Sequence, residues 1–202
     1  MPRDGSATRI RILDAAERLV IDSGYAATSI DQVIAAAGSS KGSFFHHFSS
    51  KADLAEQLVR RYAEADVGVL QEGLDVVAGI DDPRARLLAF MAHFEDHADE
   101  VMGSQSSCLY VAVLTERQLV GSDTAVPILG AVRAWRQAVA DLLRGALGDS
   151  DHDVDALADH LFVTFEGAFI LCRATGDPGH MRRQLSAVRV LYEALTSQSR
   201  SE

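Results

Sequence analysis

The chain has 202 residues, 48% of them apolar, and a formal net charge of −10. That length and apolar share exclude a disordered chain and allow one or two domains with a real core. The acidic balance excludes a generally adhesive nucleic-acid binder, and two distant cysteines, Cys108 and Cys172, exclude a disulfide framework or a Cys-based zinc site.

The N-terminus lacks the continuous apolar stretch of a signal peptide, and no apolar run approaches the ~18 residues that cross a bilayer. A cytoplasmic protein without membrane contact is expected. The charge is unevenly spread. Residues 1–51 hold six Lys and Arg against five Asp and Glu, whereas the remaining 151 residues hold 13 against 24. An acidic body repels DNA, so contact with DNA is expected only from the N-terminal quarter.

Apolar residues recur at helical spacing along almost the whole chain, and no stretch shows strand alternation bounded by turns. Ile12, Leu13, Ala16, Leu19 and Val20 predict a first helix over about 8–22, ended by Ser23 and Gly24. Thr28-Ser29-Ile30-Asp31 has the form of a capping box opening a second helix, which stops at Gly38. Ser39 or Ser40 caps a third, short helix over 41–48. After Ser49 and Ser50 a long fourth helix runs from 52 to about 77. Pro83 suits the first turn of a helix over about 84–102. A polar turn at 103–107 precedes helices at about 107–119, 125–147, 153–175 and 179–197. The fold class is all-α, with about nine helices.

Two short helices joined by a Gly-containing turn are the parts of a DNA-reading helix-turn-helix. Ala35, Ala36 and Ala37 allow a close crossing, and Gly38 tolerates the positive φ of the turn. Phe44 and Phe48, four apart, anchor the second helix inward. That leaves Ser40, Lys41, Ser43, His46 and His47 facing outward.

Residues 36–48 read Ala-Ala-Gly-Ser-Ser-Lys-Gly-Ser-Phe-Phe-His-His-Phe, followed by Ser50-Lys51-Ala52-Asp53-Leu54. Through residues 8–55 this resembles the TetR (tetracycline repressor) family, which also matches in length and in its all-helical remainder. The resemblance implies a helix-turn-helix domain over 1–51 and a ligand-binding and dimerisation domain over 52–202. It implies a regulator, expected to be a repressor released from a near-palindromic operator by a small-molecule effector, and not an enzyme.

Thr28 and Ser29, at a helix N-terminus, suit a phosphate. Lys41 reaches a phosphate or base edge, and Gly42 lets the backbone approach the groove. Ser40, Ser43 and His46 are candidates for base edges, and Ser39 adjoins them. Lys51 resembles the family's phosphate-gripping lysine. Arg3 and Arg9 are placed to touch the backbone or minor groove. The chain departs from the family at Ser39, where Val is usual, and at Phe45 and His47, where Tyr is usual. Phe45 lacks the hydroxyl that reaches phosphate, whereas His47 retains a donor.

Few phosphate contacts bind weakly, since log affinity falls by about 0.9 per neutralised phosphate per log unit of salt. Two heads about 34–36 Å apart gain through effective concentration, so a homodimer on double-stranded DNA is expected. Met181, Leu185, Val188, Tyr192 and Leu195 form a narrow stripe, as do Leu161, Phe165, Ala168 and Cys172 on the preceding helix. In the family the last two helices form a four-helix bundle across the dimer. The mid-helix Gly167 costs about 1 kcal/mol relative to Ala, which a close helix approach would justify.

Phe90, His93, Phe94, His97, Tyr110, Trp135, Phe162, Phe165, Glu166 and Phe169 combine aromatic walls with polar groups. That composition fits a ligand cavity and equally fits an ordinary core. Residues 107–120 and Glu166-Gly167-Ala168 resemble a TetR subgroup that includes lincomycin-resistance and acrylate-responsive repressors. His93 and His97 share a helix face near Asp96 and Glu100, but His-Phe-Glu-Asp-His departs from the zinc-protease spacing. No metal or cofactor is expected, and no nucleophile elbow, phosphate loop or dinucleotide fingerprint occurs.

Overall fold

The computed structural model describes residues 5–102, 108–116 and 124–198. The expected contact from Arg3, the turn at 103–107 and part of the segment 107–120 lie outside them. Among the described residues the structure is all-helical, with ten α-helices.

The helices are α1 (Gly5–Ser23), α2 (Ile30–Ala36), α3 (Lys41–His47), α4 (Lys51–Val77), α5 (Pro83–Asp96), α6 (Ala98–Met102), α7 (Leu109–Leu114), α8 (Ala125–Leu147), α9 (Val154–Thr175) and α10 (Gly179–Gln198). The expected helix over 84–102 is divided at His97. There the ring Nδ1 lies 2.7 Å from the His93 carbonyl, so side chain and backbone amide share one acceptor and the next turn restarts as α6. Asp82 caps α5 by accepting from Ala85 N at 2.7 Å, with Pro83 in the first turn. Asp153 caps α9 in the same way through Ala156 N at 3.0 Å.

The described backbone divides into two compact units, one drawn from Met1–Glu64 and Ser107–Gly130, the other from Ala65–Ser106 and Ala131–Glu202. The sequence places a domain boundary at the start of α4; the structural division falls later, within that helix.

In the first unit α1 lies against α2, α3 and α7. Its buried face carries Ile12, Leu13, Ala16 and Val20, while Leu19, the other periodic residue, is half-buried. Phe44 and Phe48 are fully buried, as expected for anchors, and each such ring contributes about 1.5–3 kcal/mol through burial. Arg61 of α4 donates to Asp14 at 2.7 Å and to Glu17 at 2.6 Å, holding α4 to α1.

In the second unit α10 packs on both α5 and α9. Arg189 of α10 donates to Glu95 of α5 at 2.6 Å, and the Tyr192 hydroxyl donates to the Leu157 carbonyl of α9 at 2.7 Å. Arg136 of α8 is paired with Asp159 of α9. Burial pushes the Tyr192 phenol far above its ordinary pKa, so it stays a donor.

Candidate functional site

The reading head is built from local signals. Ser29 accepts from Gln32 N at 3.2 Å, while Gln32 Oε1 accepts from Ser29 N at 2.7 Å. That is a complete capping box, one residue later than the expected Thr28 and Asp31 pair. Thr28 is buried instead, and its hydroxyl donates to the Gly24 carbonyl at 2.9 Å. Its side chain therefore braces the turn from within and is not offered to a phosphate. Gly38 has φ +56°, the left-handed conformation the turn requires. Ser40 caps α3, accepting from Ser43 N at 3.1 Å.

With Phe44 and Phe48 inside, the outer face of α3 follows from helical geometry. Lys41, Gly42, Phe45 and His46 are exposed, and Ser43 and His47 are half-buried. Ser29 and Ser40 are exposed beside them. Phe45 is held edge-on to Phe44, with ring centres 5.2 Å apart. His46 and His47 are likewise edge-on at 4.9 Å. Burial first, then the charges of His46 and Arg9, hold the His47 pKa below its ordinary value. At neutral pH His47 therefore offers a hydrogen bond, not a charge.

Three expected DNA contacts are differently engaged. Ser39 turns its hydroxyl inward, where it is buried. Arg9 is exposed, but its guanidinium donates to Gln57 Oε1 at 2.6 and 3.2 Å and lies 5.9 Å from the Phe48 ring. Lys51 is half-buried: its ammonium donates to the Tyr25 carbonyl at 2.6 Å and the Ala26 carbonyl at 3.4 Å, over the Tyr25 ring. Lys51 thus holds the turn between α1 and α2.

Of the expected ligand residues, Phe90, Phe94 and Trp135 form one aromatic group, with ring centres 5.0, 5.3 and 6.5 Å apart. The sequence did not reveal Asp66, which accepts from Trp135 Nε1 at 3.0 Å, or Gly73, which abuts Phe94. The His93 and His97 rings are tilted, with centres 4.5 Å apart, His93 meets Phe94 edge-on, and Phe165 packs on Phe169 at 5.2 Å. Phe162 and Glu166 are half-buried. Tyr110 belongs to the other unit, where its ring lies 5.1 Å from Tyr62. Among the described residues no cluster of three or more His, Cys, Asp or Glu is placed to hold a metal.

The stripe expected at a dimer seam faces inward. Leu161, Ala168, Cys172, Met181, Leu185, Val188 and Tyr192 are buried within the single chain, and Leu195 is half-buried. They form the α5, α9 and α10 core, and a side chain already covered by its own chain cannot cover a second copy. The same two helices carry another apolar row that is exposed: Val163, Ile170 and Leu171 on α9, Val190 and Leu191 on α10. Gly167 lies on this outer row, and a Cβ there would meet nothing within 4 Å among the described residues.

Comparison with known proteins agrees with this architecture. Residues 12–58 match the model described as bacterial regulatory proteins, tetR family, and residues 83–188 match the tetracyclin repressor-like C-terminal domain. The transcriptional regulator AcuR of Cereibacter sphaeroides is 28% identical over 171 residues, 83% of this chain and 77% of that protein. The transcriptional activator FasR of Mycolicibacterium smegmatis is 28% identical over 158 residues, 78% of this chain and 68% of that protein. A solved TetR-family regulator from Agrobacterium tumefaciens shares the fold with a TM-score of 0.74 at 22% identity, covering 95% of this chain and 98% of that one. The domain matches span both the reading head and the helical body, and the chain belongs to the TetR family of bacterial DNA-binding transcriptional regulators.

Proposed function

We propose that this regulator is a repressor that grips a near-palindromic operator as a homodimer and leaves it when a small molecule enters the helical body. One observation carries the reading. The α3 helix buries Phe44 and Phe48 while Lys41, Gly42, Phe45 and His46 stand outward, with Ser43 and His47 at the edge. A helix anchored on one face and polar on the other fits a major groove. Ser29, Ser40, Lys41, Gly42, Ser43, His46 and His47 are assigned to the DNA, with Thr28 and Lys51 bracing the turn behind them.

The exposed row on α9 and α10 supports the dimer. Glycine inside a helix costs about 1 kcal/mol, and nothing among the described residues occupies the space Gly167 leaves. A helix from a second copy fills that space and covers the apolar row.

The Phe90, Phe94 and Trp135 group beside Asp66 supports an effector with apolar bulk. The helix α4 carries residues of both units, so a ligand that favours one arrangement of the body alters the separation of two heads. The effector's differential affinity for the two arrangements limits that shift.

The test is a gel shift with DNA from upstream of the protein's own gene, repeated with a metabolite and antibiotic panel. A specific complex that one compound dissolves is the expected result. Protein that prefers no duplex over random DNA at physiological salt sinks the reading. A complex that raises transcription in vitro makes the protein an activator instead.

A further inference from the structure

The turn between α1 and α2 is held by a residue far outside the reading head. Glu116 follows α7, ninety positions along the chain from Ala26. Its Oε1 accepts from the Ala26 backbone N–H at 3.2 Å. On the carbonyl side of the same turn stands the Lys51 ammonium, bonded to Tyr25 and Ala26. The turn is thus clasped between a carboxylate on its amide and an ammonium on its carbonyls. A Cβ at Gly24 would lie 3.0 Å from Glu116 Oε1, so the glycine, at φ +86°, also leaves room for the carboxylate.

We infer that Glu116 is a positioning residue for operator binding: it sets the α1–α2 turn, and through it the Ser29 cap that leads into the reading head. The inference rests on the proposed DNA reading. The geometry makes the coupling short. Ala26 is three residues from Ser29, the α2 cap, and Thr28 between them is itself bonded back to Gly24. Displacing the carboxylate frees the Ala26 amide and removes the anion that offsets the Lys51 charge. The electrostatics agree: the Glu116 charge acts on Tyr25, raising its pKa after burial, and on Lys51, opposing the lowering that burial causes. Leu109, Tyr110 and Val113 of α7 are buried, with Tyr110 against Tyr62 of α4, so the helix that carries Glu116 has a fixed seat.

Operator binding measured across a range of salt tests this on the full-length protein. Loss of one charge-assisted hydrogen bond behind the Ser29 cap predicts roughly five- to twentyfold weaker binding for Glu116→Ala. The slope of log affinity on log salt stays near the parent value, because the clasp positions uncharged groups and supplies no cation to a phosphate. Glu116→Gln keeps an acceptor for the Ala26 amide and stays within about threefold of the parent. Hydrogen exchange at the Ala26 amide speeds up in the Ala variant and not in the Gln variant.

Unchanged affinity for Glu116→Ala overturns the inference. So does weakened binding that a matching fall in the folded fraction accounts for, or that Glu116→Gln shows equally, either of which marks a merely structural residue. Parent protein that binds no duplex removes the DNA reading and this inference together; parent protein that binds while Glu116→Ala equals it removes only this inference.

Discussion

Gly73 of α4 makes room for the Phe94 ring of α5: a Cβ at residue 73 would lie 2.7 Å from Phe94 Cζ and 2.8 Å from Cε2. Phe94 is buried and touches both Phe90 and Trp135, so its ring has little freedom to retreat. Gly73→Ala gains about 1 kcal/mol in helix propensity but overpacks this group at a cost of about 1–3 kcal/mol. The net expectation is a modestly lower melting temperature. A variant that melts higher than the parent shows that the aromatic group yields easily.

Lys41 opens the outward face of α3 and is exposed. Lys41→Ala weakens operator binding and flattens its salt dependence by about 0.9 for every phosphate left without its cation, with the melting temperature unchanged. Ser40→Ala instead removes the α3 cap, costs about 1 kcal/mol of local stability and leaves the salt slope nearer the parent value. Titration of both variants against labelled operator at several salt concentrations separates the two effects. Equal slopes for Lys41→Ala and parent remove Lys41 from the phosphate contacts.

Two aspartates placed on opposite faces of the last helices report which face meets a second copy. Ile170 is 56% exposed, whereas Val188 is 3% exposed. Ile170→Asp yields a folded monomer in sedimentation. Val188→Asp buries a charge among α5, α9 and α10 and destabilises the chain itself by several kcal/mol. A folded dimer for Ile170→Asp places the interface elsewhere.

Stability falls with acid. Hydrogen bonds from Gln57 and the Ser49 backbone hold Asp53 below its ordinary 3.8, and the Arg189 hydrogen bond holds Glu95 below its ordinary 4.5. A carboxylate depressed in the folded state binds fewer protons there than when unfolded. Its stabilisation is complete above the ordinary pKa and is lost as pH falls through the folded value. Urea midpoints are therefore level from pH 7 to about 5 and decline below about pH 4. Glu95→Gln has a lower midpoint at pH 7 and a gentler acid decline. A midpoint that stays constant down to pH 3 contradicts these assignments.

How much of this was legible in advance varied with range. The helix-turn-helix was: Ser40, Gly38 and the Phe44 and Phe48 pair act within about ten residues, through caps, a positive φ and helical spacing. Even there the cap fell on Ser29 and not Thr28, because two adjacent hydroxyls are equivalent in sequence until one finds the Gly24 carbonyl. Asp66, Gly73 and Glu116 carried no local signal, since each acquires its role from a partner on another helix.

The amino-acid order alone determined an all-helical chain, the extent of its long helices other than the one expected over 84–102, and the two short helices within residues 28–48, because those outcomes depend on neighbours along one strand of backbone. Tertiary packing decided the rest. Both α9 and α10 carry two apolar rows, and tertiary packing, with α10 set against both α5 and α9, settles that Leu161 and Val188 face inward while Ile170 and Leu191 face out. It likewise settles that Lys51 and Glu116 meet on one turn. Periodicity states that a helix has an apolar face; it does not state what covers that face, because the covering surface comes from residues distant in the chain.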